Sequence, residues 1–256
     1  MARTNKPTAF KGLTSPAPKN IQTACNTTCN GLHRMTPTAT SELCRPPDAR
    51  VTRMFLVRHG STEANERKPF VLQGSEIDTP LTTKGWQQAR ELAAFLREVE
   101  FSAVYASPMI RAQQTASLNA DPRGIAVRPV EALKECSVGR WQGLSWDEIR
   151  ARDPVEVERF LANPARERHP GGESYEDVLA RVAPALNEIL AAHAGQNVLV
   201  VAHNMVNRAY LSHLLGIDLT LARRVRQTNC CVNIIHCSAE LTDVVSVNSI
   251  WHLTES

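Results

Sequence analysis

Three short apolar runs, "MFLV" at 54–57, "SAVYAS" at 102–107 and "NVLVVAH" at 197–203, each stop abruptly and give way to segments of different periodicity. Runs this short, rich in valine and bounded by polar residues, read as buried strands. The stretches between them carry a helical period. In "TKGWQQARELAAFLREVE", Ala89, Leu92, Leu96 and Val99 recur at spacings of three and four. "PMIRAQQTASL" opens with Pro108 at a first helical position. "IAVRPVEAL" (125–133) suits a further strand, and "SWDEIRARDPVEVERFLA" reads as helix interrupted at Pro154. "GGESYEDVLARVAPALNEILAAHAG" predicts a long helix with a stripe of Leu179, Val182, Leu186 and Ile189, a kink at Pro184 and a stop at Gly195. "MVNRAYLSHLLG" follows as a helix, and "CCVNIIHC" and "VVSVNSIWHL" as late strands. Strand alternating with helix predicts an α/β fold, a three-layer α/β/α sandwich around a mostly parallel central sheet, with "NVLVVAH" at its centre.

Open sheets of this kind bind ligands outside the carboxyl ends of their strands. Three strand-to-helix junctions deliver polar residues to that edge: Arg58 and His59 from "FLVRH", Arg111 from "VYASPMIR", and His203 from "LVVAH". Arginine grips phosphate oxygens in a bidentate fork, and free backbone N–H groups at helix N-termini add to the grip. The four side chains therefore make a candidate site for a phosphoryl dianion. A neutral imidazole is a competent nucleophile near pH 7, and neighbouring guanidinium charges keep it neutral. His59 is thus placed to attack phosphorus, giving a phosphohistidine that water later opens. The leaving alkoxide needs a proton, so a carboxylic acid is expected nearby.

The blocks "LVRHGSTEAN", "QGSEIDTPLTTKGWQQA", "VYASPMIRAQQTA", "LKECSVGRWQG", "PGGES" and "VVAHN" occur in the order seen in the histidine phosphatase superfamily, and the chain resembles that phosphoglycerate-mutase-like family from residue 53 to about 253. The resemblance implies an α/β/α sandwich and phosphoryl transfer through phosphohistidine, with no metal and no cofactor. It implies His59 as nucleophile, Arg58 and Arg111 as phosphate-binding arginines, His203 as the second phosphate-contacting histidine and Glu135 as proton donor. Asn65 and Gln73 match positions lining the pocket. The family usually has glycine after the second histidine, whereas this chain has Asn204, here counted with the substrate-binding residues. "VVAHNMVNRAYL" followed by "RQTNCCV" resembles the plant and cyanobacterial branch that includes 2-carboxyarabinitol-1-phosphate phosphatase. The expected activity is a metal-independent phosphomonoesterase acting on a sugar phosphate or phospho-acid. The rivals are a phosphoglycerate-type mutase and a non-catalytic phosphate-recognition scaffold. Family mutases carry arginine directly after the catalytic glutamate, where this chain has Cys136, and a scaffold would lack part of the constellation.

Composition narrows the partners. A net charge of +3 over 256 residues argues against nucleic acid and membrane surfaces, and no apolar run is long enough to span a bilayer. A small-molecule phosphate ester is the expected partner, with a homodimer left open. The seven cysteines read as free thiols in a reducing compartment, although Cys25, Cys29 and His33 could form half a zinc site. Residues 1–50 are basic, hydroxyl-rich and poor in acids. They read as a disordered extension, an over-long start or a transit-like segment, preceding a domain at 51–256. The expected compartment is the cytoplasm, or a plastid stroma if those residues are a transit peptide. His33, His169, His193, His213, His236 and His252 are read as structural, and Trp141 and Trp146 as packing residues. Arg140, Arg166, Arg168 and His169 read as a solvated face, with an alternative in which some of them meet a substrate carboxylate from a lid at roughly 139–175.

Overall fold

The computed structural model describes residues 43–254. The expectations for the segment before Leu43, including the Cys25, Cys29 and His33 group, lie outside the described residues. Six strands form one sheet: β1 (Thr52–Arg58), β2 (Ala103–Ala106), β3 (Val127–Pro129), β4 (Asn197–Ala202), β5 (Val232–Cys237) and β6 (Thr242–Ser249), in the order β3-β2-β4-β1-β5-β6. The first four are mutually parallel, and β5 and β6 add an antiparallel edge. The helices are α1 (Glu63–Glu66), α2 (Thr83–Phe95), α3 (Ile110–Ala120), α4 (Trp146–Arg152), α5 (Pro154–Ala162), α6 (Tyr175–Ala192) and α7 (Asn204–Leu214).

The period-two alternation of β1 separates two cores. Met54 and Leu56 point into a cluster with Val182, Leu186 and Tyr210 of α6 and α7. Phe55 and Val57 point into the opposite cluster with Ala89, Leu92 and Ala116 of α2 and α3. This is the expected three-layer sandwich, with β4 buried at its centre. A third, smaller cluster of Trp141, Ile149, Val157 and Phe160 gives the segment carrying α4 and α5 a core of its own.

Some local expectations shift. Pro108 precedes α3 rather than opening it, because Met109 is the N-cap. The run at 125–133 is strand only at Val127–Pro129 and then turns into a 3-10 segment at Glu131–Leu133. Leu179 is only partly buried, and Val178 and Tyr175 join Val182, Leu186 and Ile189 on the inner face of α6. Helix α6 runs through Pro184 without a break in its assignment. Leu43 packs against the second core, and Arg53 donates through Nη1 to the carbonyls of Leu43 and Arg45. No helix of the described residues is long and apolar enough to cross a membrane.

Candidate active site

The parallel strands β1 and β4 end in register, with Arg58 opposite Ala202. The next residue on each is a histidine, and the His59 N–H donates to the Ala202 carbonyl at 3.0 Å. The two imidazole centroids consequently lie 5.1 Å apart. Beyond His59 the chain passes against the first turn of α2. A Cβ on Gly60 would lie 2.6 Å from the Gly85 carbonyl oxygen, so only glycine permits this approach. The Ser61 N–H is held there by Gln88, and the Ser61 carbonyl receives Thr82 N–H.

His59 is 3% exposed. Its Nδ1 lies 2.7 Å from the Gly60 carbonyl oxygen, which can only accept, so Nδ1 carries the proton. Nε2 is left with its lone pair, and Arg111 Nε donates to it at 3.3 Å. Burial, followed by the charges of Arg111 and Arg58, holds His59 well below the usual 6.5. His203 is fully buried and is depressed in the same way, by burial first and then Arg111. Neither ring nitrogen of His203 has a protein hydrogen-bond partner among the described residues. Arg111 is fixed from behind by the carbonyls of Ile77 and Gly74 and by Asp78 at 3.5 Å. Arg58 donates to the Gln227 carbonyl at 2.6 Å, its Nε has no protein partner, and burial lowers its pKa to about 10. It therefore stays charged at neutral pH.

Glu135 approaches from the loop after the 3-10 turn at Glu131–Leu133. Its carboxylate accepts from the N–H groups of Asn204 at 3.0 Å, Met205 at 3.2 Å and Cys136 at 2.9 Å. Two of these donors are the first orphan amides of α7. At α3 the Ile110 N–H is likewise taken by Asp78. This corrects the expectation that free helix N-termini help to bind the anion. Protein carboxylates occupy both ends, and the anion-binding capacity rests on side chains. The Asn204 Oδ1 is buried without a protein partner.

Asn65 and Gln73 both line the cavity, as expected, but differ in kind. Gln73 spends both ends internally, accepting from Thr62 Oγ1 and donating to Thr79 and Ile77. The Asn65 Oδ1 is held by the Thr62 N–H and by Asn229 Nδ2, which also donates to the His59 carbonyl. Asp78, Asn229 and Gln227 support the site, and sequence reasoning missed all three. The acidic "EID" at 76–78 and the amide-rich "RQTN" at 226–229 were the available signals.

The cavity encloses about 160 Å³. Its outer wall is apolar, with Phe70, Leu72, Val138, Trp146 and Phe160, the last two from the lid segment. His169 belongs to this wall, not to a solvated face. It is 2% exposed, and its Nδ1 sits 2.7 Å from the Glu173 carbonyl. Arg140, Arg166 and Arg168 do lie outside, each paired with a carboxylate. Trp141 is wholly buried packing, whereas Trp146 also faces the cavity. The described cysteines are free thiols, and among the described residues no three His, Cys, Asp or Glu side chains are grouped to hold a metal ion.

A neutral imidazole whose Nε2 lone pair meets Arg111, two guanidinium groups and a second buried imidazole at the carboxyl edge of a parallel sheet are groups that can bind a phosphoryl dianion and offer it a nitrogen nucleophile. The profile of the histidine phosphatase superfamily (branch 1) matches residues 54–250, and the chain belongs to that family. Phosphoserine phosphatase 1 of Hydrogenobacter thermophilus is 29% identical over 80% of this chain and 96% of its own. The 2-carboxy-D-arabinitol-1-phosphatase of Triticum aestivum is 32% identical over 74% of this chain and 38% of its own. The phosphoserine phosphatase of Entamoeba histolytica, solved with phosphoserine, superposes with a TM-score of 0.71 at 26% identity, covering 79% of this chain and 99% of that one.

Proposed function

We propose that the protein is a phosphomonoesterase that hydrolyses a small phosphorylated metabolite, a sugar phosphate or phospho-acid, through a phosphohistidine on His59. One observation carries the reading. The Gly60 carbonyl holds the His59 proton on Nδ1, so the Nε2 lone pair faces the arginines and the unpartnered ring of His203. A buried polar atom left unpaired costs about 1–3 kcal/mol, and phosphoryl oxygens would satisfy the His203 ring. Relatives named for phosphoserine and carboxyarabinitol phosphate support a phosphorylated metabolite as substrate.

In the first step Nε2 attacks phosphorus, a P–N bond forms and the ester P–O bond breaks. Arg111 exchanges its contact with Nε2 for a phosphoryl oxygen, joined by Arg58 and His203. Glu135 gives its proton to the departing oxygen. In the second step Glu135 takes a proton from water, the oxygen of which attacks phosphorus and restores His59. Asn65 and Asn204 would touch the substrate, while Gln73 holds the loop that carries Arg111's carbonyl partners.

The test is rapid-quench hydrolysis of an aryl phosphate by the purified protein. A burst of phenolate with acid-labile phosphohistidine is expected. Absence of turnover would leave the scaffold reading, and phosphoryl transfer to an added hydroxy-acid in preference to water would make the protein a mutase.

A further inference from the structure

The cavity has a second cationic end. Arg208 and Arg223 line it along with the apolar wall, and neither has a carboxylate within salt-bridge distance among the described residues. The contrast with the neighbouring lid is sharp. Arg140 holds Asp153 and Glu156, Arg166 holds Glu176, and Arg168 holds Asp177. The two arginines are nevertheless aimed. Arg208 is anchored by Nε to the Val225 carbonyl at 2.9 Å, and its charge acts on the Tyr175 hydroxyl. Arg223 lies over the face of Trp146, its guanidinium carbon 5.3 Å from the ring centroid. Tyr175 is 1% exposed, and burial raises its pKa to about 12, so it keeps an O–H to donate.

Charge and distance agree on what belongs there. Four arginines line the cavity against one lining carboxylate, Glu135, with Asp78 behind Arg111. When Glu135 carries the proton that the first step requires, a phosphoryl dianion alone leaves a cationic excess, and one further negative charge closes it. Arg208 stands one helical turn beyond Asn204, roughly 6 Å along α7. That matches the span from a phosphoryl group to a carboxylate on a short carbon chain. A planar carboxylate also fits the guanidinium fork.

We infer that Arg208 and Arg223, with the Tyr175 hydroxyl, receive a substrate carboxylate, so that the substrate is a phosphorylated carboxylic acid. The inference rests on the phosphatase reading above and goes further by assigning the second subsite. Asn65 holds the middle of such a molecule, and the apolar wall excludes water from it.

The experiment compares 3-phosphoglycerate with glycerol 3-phosphate, which differ by a carboxylate against a hydroxymethyl group. The full chain is used, with an aryl phosphate and a short-chain diol bisphosphate as further arms. The acid should be favoured in kcat/KM by roughly 10- to 100-fold, mostly through KM, the size of one charged hydrogen-bonded pair. Arg223→Gln, at an exposed position, should collapse this preference. Arg223→Lys should restore part of it, and Tyr175→Phe should reduce it. Equal kcat/KM for the acid and the neutral ester, a preference undiminished in Arg223→Gln, or a bisphosphate favoured over the acid would overturn the carboxylate subsite while leaving the phosphatase intact. Failure to cleave any of the esters, the aryl phosphate included, would overturn both readings.

Discussion

His59 Nδ1 lies 2.7 Å from the carbonyl oxygen of Gly60, its neighbour in sequence. A carbonyl cannot donate, so this contact selects the tautomer and leaves Nε2 basic toward the cavity. The residue that follows His59 therefore orients its ring through the backbone, and no acidic side chain is needed behind the ring.

Replacing His59 by alanine should abolish turnover and covalent labelling together. Replacing His203 by alanine should leave labelling chemistry available but slow, with kcat down about 10²- to 10³-fold, the loss typical of one oxyanion donor. Acid-labile labelling that persisted in the His59 variant would rule out the assignment.

Glu135→Gln should separate substrates by leaving group. Alkyl esters need a proton in the transition state and should slow by about 10²- to 10⁴-fold, whereas nitrophenyl phosphate should slow far less. Glutamine keeps one carbonyl oxygen for the α7 amides, and an unchanged melting temperature would show that the fold is kept. Equal losses on both esters would show that Glu135 only shapes the pocket. Glu63 and Glu173 are the next carboxylates, although Glu173 is already committed to Arg181 at 2.7 Å.

Stability should fall on acidification. The folded-state pKa values of His59 and His203 lie well below 6.5. Below that pH the unfolded chain binds protons that the folded chain refuses. The contribution is complete above about pH 6.5 and is lost as pH falls toward the folded values, at about 1.4 kcal/mol per pH unit for each histidine. His169 and His252 add to the slope with the same sign. Urea melts between pH 7 and 5 measure it, and His203→Gln should make the dependence shallower. An unchanged slope would mean that His203 is charged in the folded state.

Chelation should leave activity intact. Two arginines and two imidazoles supply the positive potential and the donors that a metal would otherwise provide. Loss of activity in EDTA, restored by a divalent ion, would contradict this.

A protein beginning at Thr52 should melt several degrees below one beginning at Leu43. Arg53 is 8% exposed and donates to the Leu43 and Arg45 carbonyls. Each charged hydrogen bond is worth about 1.5–3 kcal/mol. Identical melting temperatures would show that residues 43–51 are dispensable.

The sheet and its edge were legible because β1 and β4 are apolar runs that stop at His59 and His203, and β2 is one that leads into the helix carrying Arg111. Arg58, His59 and Arg111 line one cavity for that reason, with the buried ring of His203 5.1 Å from that of His59, whereas Glu135 joins the lining from a loop. What sequence could not show was where backbone amides spend their hydrogen bonds. The α7 N-terminus looked open to an anion, yet Glu135, distant in sequence, fills it. His169 looked solvated because it follows arginines, but it turns inward against Phe160, with ring centroids 4.5 Å apart. Long-range pairings such as Asn229 with Asn65 leave no periodic trace.

The register of Arg58 against Ala202 has one more consequence. Each histidine is the first residue past one of two adjacent strands, so the gauge between the imidazoles comes from strand spacing, about 4.8 Å. A lattice dimension of the backbone is beyond the reach of any point substitution that keeps the ladder. The lid, with its own small core, is not bound in this way. Substitutions there can reshape the apolar wall at Trp146 and Phe160 without moving the two imidazoles relative to each other.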